Sequence, residues 1–328
     1  MKIFSLILFL IAFSNTFCQS TGSNKSVSES VTSEEQVETY VNVYFNKRAT
    51  FINKYSKDIS DNEQKELDEI VNNLKVNSPK SSEYFYLEYV NRGKTIDAFS
   101  YLVKADQAYP NNVELYDDFM YHYELTNETN LRTNYSKKLY ESNTINEGLL
   151  EYNYNVLMSL VPNAVLITNG SDDTFPLFIW QDVFKIRKDV CIINIDMLNE
   201  TGYIEHKKHD KNLKIVKQKN TIKTVEYLIE NNPNAKIYAG HTVNQKLLEK
   251  YQTNLYLSGL TYQYSAVTIN NVAEAVKRYE NDFKTEQLKR PNTNKEVNQI
   301  NFNYVLPLVT FLEYYKANGE SEKYRNTR

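Results

Sequence analysis

The chain has 328 residues, and its 38 Lys and Arg nearly balance 41 Asp and Glu, for a net charge of -3. A nucleic-acid binder that works by broad phosphate neutralisation needs a basic face, so that class is excluded. Two Cys exclude a disulfide scaffold, four His leave little for a multi-His metal centre, and 8 Gly are few for a Gly-rich phosphate cradle.

Met1-Lys2, an apolar run from Ile3 to Phe13, and small or polar residues through Ser20 form the three-part pattern of a secretory signal. The run is too short for a membrane span, which needs about 20 apolar residues, and no other stretch reaches that length. Residues 1–19 are therefore expected to be a signal peptide. The protein is expected to be exported, periplasmic or extracellular, without a membrane span. Cys18 leaves lipoprotein anchoring as the lesser alternative, because Phe17 stands where a small residue is normal. Residues 20–33, rich in Ser, Asn and Glu, are expected to be a disordered tether.

Residues 34–157 read as helical. Ser33-Glu34-Glu35-Gln36 has the capping-box pattern, and Val37, Val41, Tyr44, Phe51 and Tyr55 follow at largely helical spacing. A second helix follows Asp61, with Leu67, Ile70, Val71 and Leu74 on one face. Ala98, Leu102, Ala105 and Pro110 then have the spacing of the second helix of a tetratricopeptide repeat and its terminating Pro. Tyr116, Phe119, Met120 and Tyr123 fit the first helix of a following repeat, and the pattern degrades after that. An ordinary pair of helical hairpins is the plainer reading of the same residues.

Residues 158–268 change texture. Ala164 to Thr168 and Val190 to Ile195 are continuous apolar strands around a helix from Pro176 to about Ile186, which makes a βαβ unit. A helix over Thr221 to Glu230, a strand over Lys236 to Gly240, a short helix over Gln245 to Tyr251, and a fourth strand or hairpin over Leu255 to Tyr264 broken at Gly259 complete a small α/β domain with a mostly parallel sheet. Cys191 falls inside a strand and reads as a buried small hydrophobe. Residues 269–328 return to helices, one over Val272 to Leu288 and one from Leu308 to Ala317. The fold class is α/β plus all-α, with tetratricopeptide-like helices before and after the α/β domain.

Parallel sheets place ligands beyond the carboxyl ends of their strands. Three such ends supply the candidate ligand-binding residues: Asn169, Asp172 and Asp173, then Asn194 and Asp196, then His241. Carboxylates and carboxamides of this kind suit sugar hydroxyls, an amine or a hard cation, Ca²⁺ being the one cofactor considered. A structural alternative explains the first loop as well: Asp173 or Thr174, just before Phe175-Pro176, is placed as a helix N-cap. Asp172 is the residue such a cap does not need. The run Glu205 to Asp210 has His at i, i+3, but its interleaved lysines oppose a cation and suggest a solvated face. The Gly-x-Ser-x-Gly elbow, the Walker loop, Gly-x-Gly-x-x-Gly and His-Glu-x-x-His do not occur in the sequence.

The run Asn163-Ala164-Val165-Leu166-Ile167-Thr168-Asn169-Gly170-Ser171-Asp172-Asp173-Thr174-Phe175-Pro176-Leu177 resembles the soluble C-terminal region of bacterial membrane proteins related to protein O-mannosyltransferases. Arg187-Lys188-Asp189-Val190, Ile237-Tyr238-Ala239 and Leu255 to Tyr262 are similar too, so the resemblance spans about residues 158 to 268. Ser171 stands where the family's loop has Asp, and Asp172 where it has Asn, which moves the acid by one place. The resemblance does not reach the family's membrane-embedded transferase half, so it implies no mannosyl transfer. It implies an exported setting, envelope or glycoprotein biology, and helical repeats beside the α/β domain.

Two functional classes follow. The first is a cell-envelope binding or scaffold protein, with helical repeats that hold a protein or peptide and a Rossmann-like domain without catalysis. The second is an enzyme acting on glycans or glycoconjugates through the acidic strand-end loop. Paired-carboxylate glycosidic chemistry needs acids on opposite sides of the bond, which adjacent residues of one loop rarely provide.

Overall fold

The computed structural model describes residues 33–52 and 59–327. The expected signal peptide and tether up to residue 32, Cys18 and Tyr55 lie outside the described residues. Seven helices come first: α1 (Ser33–Phe51), α2 (Asp61–Asn77), α3 (Ser82–Asn91), α4 (Phe99–Ala108), α5 (Tyr116–Leu125), α6 (Thr129–Glu141) and α7 (Glu147–Met158). Ser60 and Glu63 start α2 with a reciprocal capping box, and Leu67, Ile70, Val71 and Leu74 are buried along one face. Ala98 and Ala105 are fully buried where α3 meets α4, so small side chains let the backbones approach.

The abundant Asn has a structural use here. Asn127 and Asn143 sit just past α5 and α6 with φ of 60° and 55°, in the left-handed region that Asn tolerates better than most residues. After α5, Glu128 N–H donates to Tyr123 O at 2.8 Å and Asn127 N–H to Glu124 O at 3.3 Å, the paired bonds of a Schellman stop.

The sheet follows: β1 (Val165–Thr168), α8 (Phe175–Asp182), β2 (Cys191–Asn194), α9 (Thr201–Lys211), α10 (Thr221–Asn231), β3 (Ile237–Gly240), α11 (Gln245–Leu248), β4 (Leu255–Ser258) and β5 (Thr261–Tyr264). It is one five-stranded mixed sheet, ordered β2-β1-β3-β5-β4. β2, β1 and β3 are parallel; β5 is antiparallel to both β3 and β4. The parallel strands are buried on both faces, which is why they read as unbroken apolar runs. Val165, Ile167 and Ile193 face the core under α9 and α10, while Leu166 and Ile192 face α7 and α8. Cys191 is buried in β2.

The tail forms α12 (Val272–Asp282), α13 (Lys295–Asn301), α14 (Val305–Ala317) and α15 (Ser321–Thr327). The helix expected to run to Leu288 stops at Asp282. Its cause lies on α7: Asn155 Oδ1 accepts Lys284 N–H at 2.8 Å, and Glu151 accepts the N–H groups of Gln287 and Leu288 at 2.9 and 3.0 Å. Buried acceptors on a neighbouring helix thus take the donors that a continuing helix would need. α14 starts at Val305 rather than Leu308, with Pro307 in its first turn, where a missing N–H costs nothing. Phe302, Val305, Leu306 and Val309 line its outward side and are exposed.

A buried ion network ties the helices to the sheet layer. Arg132 on α6 donates to both oxygens of Asp182 on α8, each at 2.9 Å, and to Glu124 on α5. Lys207 on α9 reaches Glu124 at 2.6 Å. Lys207 is buried, which corrects the solvated face expected for its segment: α9 turns this lysine inward to a carboxylate. Among the described residues no helix is long and apolar enough to cross a membrane.

Candidate functional site

The loop between β1 and α8 carries the site. Thr168 ends β1 opposite Asn194, the last residue of β2. Thr168 and Thr174 share a hydroxyl–hydroxyl bond of 2.8 Å, and Thr174 Oγ1 donates to Gly170 O at 2.6 Å. Asn194 is buried; its Nδ2 donates to Thr174 Oγ1 at 3.1 Å, and its Oδ1 accepts Asp196 N–H at 2.8 Å. Asp196 borders Gly170, with Oδ2 3.6 Å from the place a Cβ there would take.

Asp173 is buried and faces the end of β3. Its Oδ2 accepts the backbone N–H of Asn169 at 3.2 Å and the hydroxyl of Thr242. Asn169 Nδ2 reaches Thr242 O at 3.3 Å. Thr174 stands at the N-cap position of α8 with Pro176 in the first turn, as the capping alternative expects, but its side chain makes no capping hydrogen bond. The Thr174 hydroxyl is spent on Gly170 O, and the Asp173 carboxylate on Asn169 and Thr242. Asp173→Ala is expected to cost about 1–3 kcal/mol, because a buried N–H and hydroxyl lose their acceptor. Asp172→Ala is expected to stay within about 0.5 kcal/mol of wild type, as for a surface position. Urea unfolding of the two variants checks both.

His241 directly precedes Thr242 at the end of β3. Its ring lies 4.6 Å from that of Tyr262, and Nε2 is buried without a hydrogen-bond partner. Burial pushes its pKa down to about 4 despite backbone contacts with Thr261 and Asn303. The imidazole is therefore neutral at neutral pH. Among the described residues no three His, Cys, Asp or Glu side chains converge as a metal centre would require.

Asp172 goes elsewhere. Its backbone O accepts Asn153 Nδ2 at 3.1 Å, and its carboxylate is exposed at the wall of a cleft of about 220 Å³. The opposite walls come from the helices. Leu139, Ile145, Leu149, Phe175 and Pro176 make the cleft apolar, and Glu114 and Asp117 add carboxylates from the start of α5. Although one side of Asp172 meets solvent, the surrounding walls raise its pKa through burial. Burial and the neighbouring Asp118 push Asp117 up to about 7, against the pull of Lys94. The helical acids escaped the sequence reading because no motif joins residue 117 to residue 172.

The raised pKa of Asp117 has a sign in stability. The folded state keeps a proton that the unfolded chain loses near pH 4, so stability falls as pH climbs from about 4 to about 7. Asp117→Asn is expected to melt higher than wild type at alkaline pH and close to it at pH near 4. Paired thermal melts across that range measure it.

One comparison with known proteins reaches this loop. Residues 150–214 match TMEM260-associated domain 2. The matched segment runs from α7 through β1, α8, β2 and α9, so it contains Asn169, Asp172, Asp173, Asn194 and Asp196 but neither Asp117 nor His241. No curated protein and no solved structure matches the chain.

Proposed function

We propose that this is an exported binding protein of the cell envelope. In this reading tetratricopeptide-type helices and a Rossmann-like domain together hold a protein or peptide in the cleft beside β1. One observation carries the reading: Asp172, the loop acid that the hydrogen-bond network does not use, lines a cleft whose other walls are α5 to α7. A group kept exposed in a concave, mostly apolar setting is what a binding site needs. The glycan-enzyme alternative loses support, because Asp173 is committed to Asn169 and Thr242 and His241 is a buried imidazole held neutral.

The test is a binding screen on the exported chain with a peptide library, a glycan array and Ca²⁺. Each hit is repeated on Asp172→Ala. Peptide binding that Asp172→Ala removes without lowering the melting temperature supports the reading. Turnover of a glycan would put the enzymatic alternative in its place. A Ca²⁺-dependent rise in melting temperature, lost in Asp172→Ala, would reassign the acid to a cation.

A further inference from the structure

We infer that the cleft receives a cationic side chain, a lysyl or arginyl residue of a polypeptide partner. Its aliphatic stem would lie on the apolar floor and its head among Glu114, Asp117 and Asp172. This rests on the binding reading above and names the chemistry of the partner.

The cleft walls hold those three carboxylates and no Lys, Arg or His. The nearest cation to Asp117 is Lys94, and it is committed to Asp118. The groups facing Asp117 are Asp118 and Lys94, with Tyr86 and Tyr89 from α3, and Glu114 shares its cleft wall. Lys94 offsets only part of this negative charge, so a cation fits and an anion does not. The floor narrows the choice. Leu139, Ile145, Leu149 and Phe175 would cover a hydrocarbon stem, and only Lys and Arg combine such a stem with a fixed positive head. A volume of about 220 Å³ lies below the roughly 300 Å³ at which whole-ligand sites begin, and suits one inserted side chain. Sugar hydroxyls would leave the carboxylates unneutralised. The raised pKa of Asp117 agrees, since a bound cation would favour its ionisation and release a proton near neutral pH.

The experiment titrates the exported chain with matched short peptides, identical except for a central Lys, Arg, acetyl-lysine, norleucine or Glu. Calorimetry is run near pH 7 in two buffers of different ionisation enthalpy. The Lys and Arg peptides should bind at least about tenfold tighter than the others, release protons on binding, and weaken in high salt. Asp172→Asn and the double variant Glu114→Gln, Asp117→Asn should each lose that preference, and Asp172→Glu should retain part of it. Melting temperatures show that the variants fold. Equal binding of the norleucine peptide would overturn the inference and leave the binding reading intact. No binding by any peptide would overturn both. Lysine amide binding as tightly as the peptide would assign the cleft to a small amine and overturn the polypeptide partner.

Discussion

Arg132→Met is expected to destabilise the protein by about 3–5 kcal/mol, which is much of the stability an ordinary domain has. Arg132 is nearly buried and shares its guanidinium between Asp182, bound through two 2.9 Å bonds, and Glu124. Its plane also lies 4.2 Å from the ring of Phe178. Met would keep the stem packing and lose the charge. Glu124 would keep Lys207, but Asp182 would keep only the hydroxyl of Ser136, at 3.0 Å. A buried carboxylate with one neutral donor is the costly state. Arg132→Lys should fall between, because an ammonium cannot make the paired contact to Asp182. Chemical unfolding of Arg132→Met, Asp182→Leu and the double variant gives the coupling. The double variant should lose less than the sum, since it leaves no orphaned charge beside Phe178. A loss below about 1 kcal/mol in Arg132→Met would make the network a surface-like pair of little weight.

The same network shows what the sequence could and could not reveal. Parallel strands such as Val165–Thr168 and Cys191–Asn194 are covered on both faces, so their apolar runs were visible without any partner. The α2 face was visible because burial repeats along a helix at its own period. Glu124, Arg132, Asp182 and Lys207 carry no such local trace. They belong to four helices, and each alone reads as a solvent-facing charge. Lys207 even adjoins Lys208, which stays half-buried and pairs with Glu205. The end of α12 was hidden for a similar reason, since the acceptors that stop it, Asn155 and Glu151, lie more than a hundred residues earlier. At the strand-end loop the residues were legible and their directions were not. Asp172 and Asp173 are neighbours in sequence, but one faces a cleft and the other the end of β3. Only the placement of Thr242 and of α5 to α7 decides which is which.

Gly259→Ala is expected to cost about 2–5 kcal/mol, from two sources that add at one atom. Gly259 and Leu260 form the two-residue turn between β4 and β5, where Ser258 pairs with Thr261. Gly259 has φ of 59° while Leu260 is not left-handed, the pattern of a turn that requires Gly at its first central position. A Cβ there would also stand 2.4 Å from Ser159 Oγ and 2.9 Å from Ser159 Cβ. Ser159 cannot swing away cheaply. Its hydroxyl donates to Asn155 O at 2.7 Å and accepts Leu260 N–H at 3.0 Å, and its carbonyl accepts from Ser258 Oγ at 3.1 Å. The turn is thereby fastened to the end of α7, so the strain would reach both the hairpin and the helix that supports the loop. Thermal unfolding of Gly259→Ala, Ser159→Gly and the double variant separates the two sources. If the contact dominates, Ser159→Gly should recover part of the loss in the Gly259→Ala background. If backbone strain dominates, the two losses should simply add. A Gly259→Ala protein as stable as wild type would show that β4 and β5 can rearrange around the turn, contrary to both.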